Sequence, residues 1–183
     1  VTLEPGAGQT VRIMVRKPAN LDAGEYRSHL LFTKQPEANP RNGQPQINTD
    51  SDKIGISVSL LIGASIPVIV RHGNTDAEVS LSNLAIDQPS ANQTILSVQI
   101  NRQGNQSVYG DLAVSFTPEG GKEQVIARAN GLAVYAPNSH RRINLNLTTP
   151  EGGSLSGGRI NVVYRQQAEQ GGAVLAETAA RVR

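Results

Sequence analysis

Between residues 54 and 62 every second position carries a large aliphatic side chain: Ile54, Ile56, Val58, Leu60 and Ile62. A side-chain period of two puts all five on one side of an extended chain, while Gly55, Ser57 and Ser59 keep the other side small and neutral. The segment is a strand with one oily face. Strands in ordinary sheets need only about five or six residues, and this row, continued to residue 66, is longer than closing its own sheet requires. Two readings follow. Either the strand is internal and buried on one face, or its outer part is lent to another protein, each anchor contributing roughly 1.5–3 kcal/mol if fully buried.

The rest of the chain must supply sheets for such a strand to join. Of its 183 residues 38% are hydrophobic but only 3% aromatic, so the cores are built from Val, Ile, Leu and Ala, and 18 Gly and 10 Pro punctuate short apolar runs. That combination predicts an all-β protein. No run reaches the roughly 18 to 20 apolar residues needed to cross a bilayer, so no membrane insertion is expected. No apolar leader precedes Val1, and because the chain starts without Met this decides nothing about export. The absence of cysteine excludes disulfides and thiolate metal sites. A net charge of +2 with basic residues scattered along the chain gives no footprint for nucleic acid.

Read in order, residues 4–8 form a turn, with Pro5-Gly6 suited to the centre of a type II turn. Residues 9–16 alternate, Val11, Ile13 and Val15 against Arg12, Met14 and Arg16, and predict a half-buried strand. After a corner at residues 17–24 comes a strand over 25–33, whose Leu21-Asp22-Ala23-Gly24-Glu25-Tyr26 lead-in has the form of a tyrosine corner, with the Tyr26 hydroxyl bonding back to the backbone. Residues 35–52 are polar with three prolines and read as a long loop. Ile66-Pro67-Val68-Ile69-Val70-Arg71 continues extended beyond the aliphatic row, and proline inside that run predicts a change of sheet or domain near residues 65–67. Further strands are expected over 78–86, 94–101, 108–116, 123–129, 132–135, 141–147, 159–164 and 173–177, with turns such as Pro118-Glu119-Gly120-Gly121 between them. The expected architecture is therefore two immunoglobulin-like β-sandwich domains. Residues 1–65 are the C-terminal strands of the first, and residues 66–183 are the second. The first segment offers only about four strands, too few to cover their own apolar faces, so it needs strands from upstream of Val1 or from elsewhere.

Catalytic chemistry is not evident. His29, His72 and His140 lie in separate elements without ligand-spaced neighbours, so no metal site is expected. Asp22, Glu25, Asp76 and Glu78 stand at turns, where solvated acids are usual. No nucleophile elbow, phosphate-cradling loop or cysteine nucleophile occurs, and no cofactor is implied. A glycosidase pair of acids usually comes with aromatic platforms, and the chain has no Trp.

The succession Leu3-Glu4-Pro5-Gly6, Gln9-Thr10-Val11-Arg12-Ile13, Leu21-Asp22-Ala23-Gly24-Glu25-Tyr26-Arg27, a loop, and an alternating strand closing on Ile66-Pro67-Val68-Ile69-Val70-Arg71 resembles the periplasmic pilus-assembly chaperones of the chaperone-usher pathway. The likeness spans the second half of their first immunoglobulin-like domain and, more loosely, their second. It implies that Ile54, Ile56, Val58, Leu60 and Ile62 form a donor strand. These anchors would fill the groove of a pilin or fimbrial subunit lacking its last strand, until an outer-membrane usher exchanges it. It also implies self-association through the donor-strand edge when no subunit is bound. On the same alignment Arg71 matches a basic residue at the family's domain junction, and Pro67 takes the place of a Lys that anchors the subunit's terminal carboxylate. The expectation is a non-enzymatic periplasmic chaperone. Its competitors are a structural or adhesive cell-surface module in which the strand is internal, and a carbohydrate-active sandwich.

Overall fold

Alternating β-branched residues favour a pleated, half-buried surface, and the computed structural model, which describes residues 2, 4, 6–34, 62–90, 93–148 and 155–182, is all-β with antiparallel sheets. Among the described residues the strands are β1 (Gly24–Thr33), β2 (Gly63–His72), β3 (Ala77–Ser90), β4 (Gln93–Gly104), β5 (Val108–Pro118), β6 (Gln124–Val134), β7 (His140–Leu147), β8 (Gly158–Gln166) and β9 (Val174–Val182). By packing, the chain divides into two compact units. One holds Val1–Glu25 with Arg71–Arg183 and the other Tyr26–Val70.

The larger unit contains a three-stranded sheet, β3-β4-β7, and a four-stranded sheet, β6-β5-β8-β9. Their inward faces share one core. Leu96, Val98 and Ile100 of β4 belong to the same buried cluster as Leu112, Val114 and Phe116 of β5 and Ile160, Val162 and Tyr164 of β8. The strands with neighbours on both sides supply most of the deeply buried side chains, edge strand β6 adds Ile126 and Val134, and the other edge strands add half-buried ones such as Val79, Leu81, Ile143 and Leu175. With so few aromatics, Phe116 and Tyr164 are the largest residues fully enclosed. A buried phenol needs a partner. The Tyr164 hydroxyl finds one in the carbonyl of Leu132 at 2.8 Å, and burial pushes its ionisation well above the ordinary phenol value.

The predicted strands of this unit appear, with one merger. Residues 123–129 and 132–135, read as two strands, form the single strand β6, because Gly131 at φ 67° bends the chain without ending it. Its N–H is held by the Asp111 carboxylate at 2.8 Å. The turns over 4–7 and 118–121 close as expected, by Ala7 N–H to Glu4 O and Gly121 N–H to Pro118 O, each at 3.0 Å.

Two expectations are corrected. Residues 9–16 form no strand, and Val11, Ile13 and Val15 are each more than half exposed. Alternation says which side chains share a face, but a ladder also needs a neighbouring strand. Nor does the sheet change at Pro67, since β2 runs unbroken from Gly63 to His72. In a two-stranded sheet each strand is an edge, and an edge strand accommodates proline at positions whose N–H side faces away from the partner.

The smaller unit is built on the pairing of β1 with β2. Lys34 N–H donates to Ile62 O at 3.1 Å, closing the end of the ribbon next to the long connection.

Candidate functional site

The β1–β2 ribbon is the first candidate. Strands of five or more residues with alternating aliphatics normally hide one face, yet Leu31, Phe32, Ile62, Ile66 and Ile69 are between 40% and 70% exposed. A two-stranded sheet is marginal in water by itself, and these side chains fall on both faces of the ribbon, since Leu31 and Phe32 are adjacent and Ile66 and Ile69 are three apart. Ile62, the last residue of the aliphatic row, stands at the head of this ribbon and is 70% exposed. The other row positions, Ile54, Ile56, Val58 and Leu60, lie outside the described residues, as does the loop at 35–52. Pro67 is exposed in the middle of β2. Tyr26, on β1, is 39% exposed.

The second candidate is a polar cluster in the larger unit that the sequence did not single out. Glu25, near the start of β1, has a side chain only 1% exposed. It is not the solvated turn acid expected from its position. Its Oε2 accepts from Arg71 Nε at 3.1 Å and from the Ser107 N–H at 3.2 Å, while the Ser107 hydroxyl donates to Oε1. Burial by itself would raise the carboxyl, but the Ser107 hydroxyl, the Ser107 N–H and the Arg71 guanidinium together outweigh it and hold Glu25 below the usual carboxylate range. The group is therefore kept ionised with its oxygens engaged. It clamps chain to chain.

The segment that carries Ser107 is itself braced. Arg102 continues the inward stripe of Leu96, Val98 and Ile100 and is 7% exposed. Its guanidinium donates to the carbonyls of Gly104 at 2.7 Å, Gln106 at 3.0 Å and Asn138 at 2.9 Å. Asn105 adds a second brace: its carbonyl accepts from Glu25 N–H at 3.0 Å, its Oδ1 accepts from Asp76 N–H at 3.0 Å, and its Nδ2 donates to Ala23 O and Asn74 O. The Ser107 hydroxyl also accepts from Ala136 N–H at 2.9 Å. Arg71, singled out from sequence, thus belongs to a cluster whose other members were missed. The available signal was the stripe 96, 98, 100, which ends on a charged residue at 102.

His72 Nδ1 lies 3.0 Å from Lys17 Nζ at the surface. Among the described residues no group of three or more His, Asp or Glu side chains is placed to hold a metal ion.

No family model matches the chain, and no curated protein matches it. Among solved structures, DesR, a β-glucosidase from Streptomyces venezuelae crystallised with D-glucose, is similar over 61% of this chain and 16% of that one, with 9% identity and a TM-score of 0.40. The chain spans less than a fifth of that enzyme's length, and at this level of likeness neither fold nor activity passes from one protein to the other.

Proposed function

We propose that the protein is a non-enzymatic assembly chaperone of the periplasm. In this reading it lends residues 54–62 to a pilin or fimbrial subunit that lacks its final strand, and yields the subunit to an outer-membrane usher. The observation that carries this reading is the β1–β2 ribbon, which exposes Leu31, Phe32, Ile62, Ile66 and Ile69 and runs in sequence directly from the aliphatic row. Main-chain bonds along a free edge supply affinity and alternate side chains in pockets supply selectivity, the physics of strand addition. An uncovered oily edge is also an aggregation hazard, which self-association would relieve when no subunit is present.

The strand order supports the second domain of this reading. Counting from β3, the first, second and fifth strands share one sheet, and the fourth, third, sixth and seventh share the other. Immunoglobulin-like sandwiches likewise place A, B and E together opposite C, F and G. We accordingly assign the seven strands from β3 to β9, residues 77–182, to an immunoglobulin-like domain.

The test is Val58→Asp. A carboxylate in a pocket built for valine stays unpaired and buried, so capture of the subunit is expected to weaken at least about 100-fold. Amide spectra of residues 77–182 should be unchanged. Subunit recovered at the parental yield would overturn the assignment.

A further inference from the structure

A groove of about 470 Å³ lies where β5 ends, β8 begins and β9 ends, and it has no part in the strand-lending reading. Its chemistry is set by register. Thr117 of β5 pairs with Arg159 of β8, and Arg159 pairs with Arg181 of β9, so the three form one row across the sheet and all three line the groove. Directly paired residues have Cβ atoms about 4.5–5.5 Å apart on the same face, and like charges so placed repel. Both arginines are exposed, and among the described residues neither has a hydrogen-bond or ion-pair partner. Glu119, on the turn after β5, is the acid that lines the groove. Further along the same pairing the partners are Asn161 with Ala179 and Val163 with Glu177, so the doubled positive charge is confined to the groove.

Among the described residues no side chain pairs with either arginine. The backbone around it is already satisfied, Glu119 N–H bonding Gly157 O at 3.0 Å and Gly157 N–H bonding Val182 O at 3.1 Å. Any ligand must therefore be held by side chains. Two guanidinium forks side by side offer more donors than one carboxylate can accept, whereas a tetrahedral oxyanion presents a separate oxygen to each fork. We propose that the groove binds a phosphate group, bridged by Arg159 and Arg181 with the Thr117 hydroxyl as a third donor.

The experiment is a titration of the isotope-labelled protein with inorganic phosphate at constant ionic strength, following the amides of 117, 159 and 181. Saturable shifts confined to these residues are expected, and Arg159→Gln and Arg181→Gln should each weaken binding roughly tenfold or more. Both are exposed positions, so the variants should fold as the parent does. A parallel titration with glycerol phosphate separates the sources. Tighter binding than inorganic phosphate means that the group arrives on a larger molecule, and equal or weaker binding means that free phosphate is the ligand. Chloride or acetate reproducing the shifts, linear unsaturated shifts, or an unchanged response in the double variant would overturn the proposal.

Discussion

Glu25→Ala is expected to destabilise the larger unit by about 2–3 kcal/mol and to lower its Tm by about 10 °C. The substitution removes an acceptor that is 1% exposed and leaves the Ser107 N–H and hydroxyl without it. Donors stranded in a buried position account for most of the cost. Arg71 contributes less, because its side chain is 52% exposed and water can replace the lost partner. Glu25→Gln keeps the shape and one good acceptor, so it should lose only about half as much. The two variants also lack the parent's dependence on pH. The folded carboxyl titrates below its unfolded value, so its contribution is complete above about pH 4.5 and fades as pH falls through the folded value. Urea unfolding followed from pH 7 downward should therefore show the gap between the parent and Glu25→Gln narrowing in acid. A constant gap between them would mean that the charge has no part in the clamp.

Gly110→Ala should be at least as damaging, about 3 kcal/mol or more, for a purely steric reason. A Cβ at Gly110 would lie 2.1 Å from the carbonyl oxygen of Arg165 and 3.0 Å from the Tyr164 ring. The first obstacle is backbone. β5 and β8 are the two inner strands of the four-stranded sheet, and moving them apart would break the ladder from Gly110–Gln166 to Pro118–Gly158 together with the core it carries. Gly120→Ala is the control. It sits at φ 70° with nothing within 4 Å of its added Cβ, so it should cost only the roughly 1 kcal/mol of an unfavourable backbone angle. Denaturant midpoints of the two variants measure the difference, and similar midpoints would show that the close approach relaxes freely.

Strand positions in residues 77–182 were legible because each carries its own short-range signature. Leu96/Val98/Ile100 and Leu112/Val114/Phe116 are apolar at every second position and end at Gly- or Pro-containing turns. Partnership was not legible, because it depends on residues far away in the chain. Residues 9–16 alternate as cleanly as β4, yet no described strand lies beside them. Glu25 shows the same limit from the other side. Its neighbours in sequence are those of a surface turn, and its burial comes from Ser107, 82 residues away. Arg102 lay between the two cases, because its place on the inward stripe followed from period two, but its carbonyl partners followed only from how residues 104–107 fold back and where Asn138 comes to lie.

Tyr164 carries a consequence at the opposite end of the pH scale. Its phenol is held protonated by enclosure between the two sheets, so the unfolded chain gives up that proton in milder base than the native one does. Native stability from this residue is intact below the unfolded phenol value and drains away as alkali rises through it. The hydroxyl that tethers β8 to Leu132 therefore helps set the basic limit of the larger unit, and the part of the ultraviolet tyrosinate absorbance that Tyr164→Phe removes should appear together with loss of the sheets.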